Sequence, residues 1–513
     1  MISQSTQTSH ASGVARSAQL WPAIATLVLL SIVLRTPGLF RPLVGPFATK
    51  SVTYAMIARN WATGRAPFWL PTTDCMAGGD RGWHLLEIPV AAYLAGAGWA
   101  VCGGSLDAWG RAVSIAFSAA GVALLFVLVQ RWHGRRAAWV AGLVLVLSPL
   151  SVFFGQTFML ESSVVFFMLL TLWSMEAWLA TACGGWACLT AASLALMLCT
   201  KIYMAVMFLP LAALMWQKMR TSDAAGRRRW IARAVGMGLV GASPAIIWCG
   251  LVAGVASADN PESARVFFSL CRSASGQEFP NPLLGSTEFY ARLFKNLAFL
   301  GLTPVGLALA SRGMLHPAGR RHAGWLAALG VLVLLLPGKF FELRYYSVVL
   351  VPALAVLAGL GWESLHAYPR ARRLCGSLGL LGGLGCSLWT VLGPGASMRP
   401  EDRGVIAAAT ALDRLAAPDE PVATLHGSGS DLLYYCDRPG WALSANDRRL
   451  EETLEACRRQ GARWLVVADL TSLERKPAAD AVDTLSLVCS GDDYRIYRIA
   501  AGDAVARRAT VAR

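Results

Sequence analysis

The sequence predicts a polytopic α-helical membrane protein with about eleven transmembrane helices and a small C-terminal soluble α/β domain. Three observations predict it. The 513 residues are 55% hydrophobic and 15% charged, with mean hydropathy +0.48, more apolar surface than a water-soluble fold can bury. That apolar sequence falls into runs close to the roughly 20 residues a helix needs to span hydrocarbon. From about residue 396 onward the hydropathy drops and the pattern changes.

The runs lie near 20–40, 112–130, 137–155, 162–182, 186–200, 203–217, 234–256, 293–310, 323–337, 345–362 and 374–392, eleven in all. A twelfth apolar stretch, 88–102 (IPVAAYLAGAGWAVC), would invert everything after it if it crossed. Loop charge decides the question. Lys and Arg cluster at Arg131/Arg135/Arg136, at Lys218/Arg220/Arg227/Arg228/Arg229/Arg233, at Arg312/Arg320/Arg321 and at Arg370/Arg372/Arg373. With residues 1–19 inside and eleven spans, all four clusters face the cytoplasm, as the positive-inside rule requires. The 88–102 stretch then reads as a short helix lying in or dipping into the interface, consistent with its glycines and Trp99. The formal charge of +15 is accounted for by these loops; no nucleic-acid-binding motif accompanies it.

Arg16 precedes the first apolar run, but LLSIVLRTPGLF offers no small-residue cleavage site, so the run reads as an uncleaved signal anchor. Most of the twelve cysteines fall within spans, no CxxC occurs, and the tail holds only Cys436, Cys457 and Cys489. They read as small apolar residues rather than a disulfide framework.

The first outside loop, 41–111, is long and contains PTTDCMAGGDRGWHLLE, a mixture of turn residues, charges and aromatics typical of functional loops. A second outside segment, 257–292, reads as a turn-rich flap. Beyond 396, PVATLH, ARWLVVADL and YRIYRIA read as strands, and SDLLYYC and DRRLEETLEACRRQ as helices. The GSGS at 427–430 fits neither GxxxxGK[ST] nor GxGxxG and reads as a strand-to-helix turn. No internal repeat is present.

Carboxylates beside membrane spans are costly and are usually retained for a reason. On the outside face they are Asp74, Asp80, Glu87, Asp107, Glu161 and Glu342, with Asp259, Glu262, Glu278 and Glu288 in the flap. Glu161, in SPLSVFFGQTFMLESSVVFF, stands at the mouth of the fourth span; its bland reading is a helix-start charge favoured by the dipole. Glu87 directly precedes Ile88-Pro89, where it serves equally as the start of the interfacial helix. Lys201 and Arg344 stand at the mouths of other spans, where snorkelling to headgroups is the ordinary fate of a lone cation. Carboxylates and cations on one face also suit a reaction that needs a base and a phosphate clamp.

The run VTYAMIARNWATG, LLEIPVAAYLAG, SPLSVFFGQTFMLES, CTKIYMAVMFLPL and LRYYSVVLVPALAVLAGLG resembles, in order and over roughly 20–400, the bacterial family 39 membrane glycosyltransferases. These have the C-type fold shared with protein mannosyltransferases and aminoarabinose transferases. The resemblance implies a transmembrane glycosyltransferase domain over 20–395 with its large first periplasmic loop at 41–111, and a periplasmic α/β domain over 396–513, in the inner membrane. It implies a polyprenyl-phosphate-sugar donor, a periplasmic site and inversion at the anomeric carbon, the acceptor being unknown. By the same matching, Glu161, Glu87 and Asp74 fall where the family has loop acids. Lys201, Arg344 and Tyr345 fall near the donor phosphate. A divalent metal is left open, with no ligand pattern to support one. The family usually places an acid just ahead of the IARN run, and here GPFATKSVTYAMIARN contains none; Lys50, Ser51 and Thr53 occupy the region. Either Asp74 or Glu87 replaces that acid, or the chemistry is altered or lost. Two other functions are therefore weighed: a non-catalytic homologue that binds a lipid-linked sugar, and a membrane transporter, which the long outside loops and tail oppose.

Overall fold

A computed structural model describes residues 20–45, 47–77, 80–258, 281–393, 400–427 and 429–499. The chain divides into two compact units. Unit 1 comprises residues up to 39, 111–253 and 266–395; unit 2 comprises 40–110, 254–265 and 396–513. The cytoplasmic N-terminus expected at 1–19 and most of the flap lie outside the described residues.

Seven described helices are long and apolar enough to cross a membrane: Trp21–Gly38, Leu106–His133, Glu161–Thr181, Ile202–Arg220, Ala224–Gly254, Arg344–Ser364 and Pro369–Leu392. They make the chain a multi-pass membrane protein, and they coincide with seven of the eleven expected runs. The other four are shorter or broken. Gly184–Thr200 has 17 residues. The 323–337 run is a 13-residue helix, Ala323–Leu335, followed by a short one starting at Pro337. The 293–310 run is bent by 108° between Thr287–Gly301 and Thr303–Leu315 and adds an eighth candidate if the pair is one span. At that bend Thr303 has φ 65°, a left-handed backbone that is costly for a β-branched residue.

The 137–155 run is broken between helices Arg135–Leu147 and Pro149–Phe154. The residue before a proline is pushed out of the helical region, and Ser148 is extended, its hydroxyl accepting from the Ser151 amide at 3.2 Å. Such a break frees backbone carbonyls that hydrocarbon cannot satisfy. Arg35, fully buried at the end of the first helix, supplies the donors. Its Nη1 donates to the Ser31 carbonyl (3.1 Å) and its Nη2 to Ser151 Oγ (2.9 Å), and both reach the Val146 carbonyl at 3.5 Å. Gly155 makes room for it, since a Cβ there would meet Arg35 Nε and the Ser151 carbonyl.

Unit 2 is built on a seven-stranded sheet of β1 (Thr72–Ala77), β2 (Asp80–Trp83), β3 (Val422–Leu425), β4 (Gly440–Leu443), β5 (Trp464–Ala468), β6 (Ser486–Gly491) and β7 (Tyr494–Arg498), in the order β2-β1-β4-β3-β5-β7-β6. Its centre, β1/β4/β3/β5, is parallel, and antiparallel pairs flank it on both sides. The strands and helices read in the tail are present, with β4 and β6 in addition. The sheet is not made by the tail alone, however: β1 and β2 come from the first loop, whose helices Ala48–Ala62 and Val90–Cys102 belong to the same unit. Val90–Cys102 has 13 residues, short for a span as its sequence indicated.

In unit 1, helices Thr303–Leu315 and Val351–Ser364 cross at glycines. A Cβ on Gly361 would run into the Leu309 carbonyl, and one on Gly313 into that of Leu357. Gly361→Ala should therefore force the helices apart at a cost of about 1–3 kcal/mol. The expected readout is a clear fall in the melting temperature of the solubilised protein, whereas Gly330→Ala, which faces open space, should leave it unchanged.

Candidate active site

In unit 2 the helix Ala48–Ala62 opens at Phe47, whose φ of 64° turns the chain sharply into it. Tyr54, Arg59 and Asn60 lie in its buried stretch. Arg59 Nη2 pairs with Asp74 Oδ2 at 2.7 Å, and Asn60 Nδ2 donates to Asp74 Oδ1 at 3.1 Å and to the Thr72 carbonyl at 3.0 Å. These bonds fix β1 against the helix. The other guanidinium nitrogen, Nη1, reaches Asp437 Oδ1 and the Tyr434 carbonyl, both at 3.1 Å, and the guanidinium carbon lies 4.7 Å from the Tyr434 ring centroid. Burial alone would lower the Arg59 pKa, but Asp74 and Asp437 outweigh it and the pKa is raised. The cation is thus permanent.

Asp107 accepts two phenols, from Tyr434 at 2.6 Å and Tyr435 at 2.7 Å. Burial first, and then the Asp107 charge, push both phenols well above their usual range, so they remain protonated donors. Glu87 accepts from the Tyr54 hydroxyl, and His84 Nε2 lies 3.5 Å from the same carboxylate oxygen. The Lys50 ammonium stands 5.9 Å from the Tyr54 ring centroid. Glu87 is 7% exposed.

In unit 1, Glu161 is the first residue of the helix Glu161–Thr181 and is 4% exposed. The positive end of the helix dipole favours its charge there. Lys201 closes the helix Gly184–Thr200 in an extended conformation, at the end where a cation is favoured, and is 6% exposed. It is buried rather than snorkelling. Tyr345 is buried in the turn Arg344–Leu350, whereas Arg344 and Glu342 are exposed. An aromatic seam joins these turns: Tyr345 stacks on Tyr346 (5.0 Å), Tyr346 meets Tyr203 (5.3 Å), and Tyr345 meets Phe154 (6.0 Å). The helix begun by Glu161 packs on the Tyr345 turn. Unit 1 therefore gathers the segments bearing Glu161, Lys201 and Tyr345, while Asp74 and Glu87 belong to unit 2.

Asp74 was expected as a reacting carboxylate; its two oxygens are engaged by Arg59 and Asn60, and it is 1% exposed. In the flap, Glu288 pairs with Arg292 at 3.0 Å on the surface, and Asp259, Glu262 and Glu278 lie outside the described residues. Arg59, Tyr54 and the Tyr434/Tyr435 pair are not among the residues expected from the sequence. The available signal was an Arg-Asn dipeptide inside the apolar run YAMIARNWA, a charge that needs a buried partner. Among the described residues no three of His, Cys, Asp and Glu converge closely enough to hold a metal ion.

The sequence profile of the dolichyl-phosphate-mannose-protein mannosyltransferase family matches residues 87–248, a stretch that includes Glu87, Glu161 and Lys201. The chain is similar to ArnT from Cupriavidus metallidurans bound to undecaprenyl phosphate, with TM-score 0.64 and 17% identity over 95% of this chain and 99% of that one. It is similar to the archaeal oligosaccharyltransferase AglB from Archaeoglobus fulgidus, in complex with an inhibitory peptide and a dolichol-phosphate (TM-score 0.54, 12% identity, 89% and 70% covered). It is also similar to the arabinofuranosyltransferase AftD from Mycobacteria (TM-score 0.52, 15% identity, 95% and 40% covered). A comparison with curated protein sequences gives no match. The resemblance to C-type membrane glycosyltransferases stands, and the chain has their fold.

Removing one partner of a buried ion pair leaves an uncompensated charge, typically at a cost of about 3–5 kcal/mol. Arg59→Ala should therefore lower the melting temperature of the solubilised protein strongly. The double variant Arg59→Met/Asp74→Leu, which leaves no lone charge at the pair, should melt closer to wild type than Arg59→Ala does.

Proposed function

We propose that the protein is an inverting glycosyltransferase that moves a sugar from a polyprenyl-phosphate donor to an envelope acceptor on the periplasmic side of the inner membrane. The observation that carries the reading is the burial of three ionisable groups, Glu87, Glu161 and Lys201. Glu161 and Lys201 stand at helix ends and Glu87 lies in the loop ahead of the helix Val90–Cys102; burial of charge is costly and is kept for function, and all three fall in the stretch that matches the mannosyltransferase profile.

The chemistry is a single displacement. The acceptor hydroxyl oxygen attacks the anomeric carbon as the bond from that carbon to the phosphate oxygen breaks. The bonding pair leaves with the lipid phosphate, and the hydroxyl proton passes to a carboxylate. Glu161 and Glu87 are the proposed carboxylates, and Asp74 contributes by holding β1 through Arg59. Lys201, Arg344 and the Tyr345 hydroxyl are the proposed donors to the departing phosphate, whose growing charge they stabilise. A general base contributes typically about 10²–10⁴-fold. Purified protein supplied with polyprenyl-phosphate sugars should therefore form a glycosylated acceptor, read by mass spectrometry. Glu161→Gln and Glu87→Gln should each reduce the rate by about a hundredfold or more with the melting temperature retained. Full transfer by both variants would sink the assignment.

The absence of a carboxylate from GPFATKSVTYAMIARN favours a second reading, a homologue that binds the lipid-linked sugar without turnover. Donor binding by wild type with no transfer to any acceptor would select it.

The proposal includes eleven crossings, counting the four shorter or broken apolar segments as spans, with the N-terminus cytoplasmic and the segment from 396 periplasmic. Reporter fusions after residues 110, 160 and 400 should read outside and one after 133 inside. A fusion at 133 that reads outside would falsify this layout.

A further inference from the structure

Unit 1 contains a groove of about 180 Å³ among the helices Arg135–Leu147, Thr303–Leu315 and Pro369–Leu392. Its walls are apolar, formed by Val144, Leu147, Val305 and Leu309 with Gly379 and Gly383. A Cβ on Gly379 would already sit in van der Waals contact with Val305, at 3.5 Å, so the missing side chain sets the width of the groove. Trp362 also lines it. Trp362 and Tyr345 stand near opposite ends of the span Arg344–Ser364, so the Trp362 end of the groove is at the other end of this span from the residues assigned to the donor phosphate.

That end is basic. The Arg372 guanidinium lies 5.0 Å from the Trp362 ring centroid. Arg312, one turn beyond Leu309, donates through Nε to Ser364 Oγ at 2.6 Å and through Nη2 to the Ser364 carbonyl at 3.3 Å. Arg136 Nη1 is 3.2 Å from His366 Nε2. The segment from Trp362 to Gly376 carries three arginines, Arg370, Arg372 and Arg373, and one carboxylate, Glu363. Two of the helices, Arg135–Leu147 and Pro369–Leu392, begin at this end with arginines in their opening turns. Cations at a helix N-terminus oppose the dipole. An anion placed among these guanidinium groups and free N–H groups offsets both.

We propose that this groove binds an anionic phospholipid of the bilayer, its acyl chain along Val144, Val305 and Gly379 and its phosphate at Arg312 and Arg372. A basic rim over an apolar cleft between membrane helices is lipid-headgroup chemistry. A zwitterionic lipid offers the same chain, but its ammonium cancels the attraction.

The test uses the full chain in detergent micelles doped with dioleoyl phosphatidylglycerol or dioleoyl phosphatidylcholine, with bound lipid counted by native mass spectrometry. Wild type should retain phosphatidylglycerol about tenfold or more over phosphatidylcholine. Arg312→Gln and Arg372→Gln should each lower phosphatidylglycerol retention by about fivefold and leave phosphatidylcholine unchanged. Gly379→Leu, which fills the groove, should abolish retention of both. Equal retention of the two lipids by wild type overturns the proposal without recourse to any variant. Undiminished phosphatidylglycerol binding by folded Gly379→Leu, or by the folded double arginine variant, overturns it as well.

Discussion

Hydrocarbon offers no hydrogen bonds, so every backbone break and every ionisable group within a membrane protein has to be answered by the chain itself. Unit 1 follows from that constraint. Ser148-Pro149 interrupts a helix, and Arg35 is buried across the break with its donors on Val146 and Ser151. Glu161 begins a helix and Lys201 ends one, each at the terminus whose dipole favours its sign. Both of these charges stand at helix ends. The short turns between helices, 155–160, 201–207 and 344–350, are consequently where unit 1 can carry chemistry, and the aromatic seam of Phe154, Tyr203, Tyr345 and Tyr346 locks them to one another.

Unit 2 meets the same cost with side chains. Arg59 carries a permanent charge in a buried position, and it is tolerated because Asp74, Asp437 and the Tyr434 carbonyl converge on it. The consequence is architectural. Asp74 belongs to β1 and Asp437 follows the helix Asp431–Cys436, so one guanidinium ties the first loop to the segment beyond residue 400. Asp107 does likewise through Tyr434 and Tyr435. Both Arg59 Nη atoms and both Asp107 oxygens are engaged in these contacts, which join the first loop to the tail that shares its sheet.

Much of this was legible in the sequence, and the failures have specific causes. Long uniform runs such as 112–130 and 345–362 announce their helices because length and hydropathy agree. The 137–155 and 293–310 runs are equally apolar, yet Pro149 breaks one and the left-handed Thr303 accompanies the bend in the other, local backbone effects that a hydropathy average does not register. The tail strands PVATLH and ARWLVVADL were readable from their β-branched residues. The hairpin partners TTDCMA and DRGW were not, because Asp and Gly lower strand propensity and the hairpin's place in the sheet comes from pairing with β4, more than 350 positions away in sequence. Among site residues, the acids were legible as types. Their division into Asp74, consumed by Arg59, and Glu87, held by a phenol, depends on tertiary partners that spacing does not reveal.

The residue pattern around Glu87 bears on the missing first-loop acid. The resemblance leads one to expect a carboxylate just before YAMIARN, and the chain places Lys50 there, with its ammonium 5.9 Å from the ring of Tyr54, whose hydroxyl binds Glu87. Two carboxylates sharing so small a buried space would repel, and one would take up a proton. A lysine in place of the first removes that repulsion and leaves the neighbourhood of Glu87 with an opposite charge, His84 and a phenol donor. Glu87 is thus set beside a phenol donor, His84 and, across the Tyr54 ring, the Lys50 ammonium, in place of the second acid that the resemblance leads one to expect.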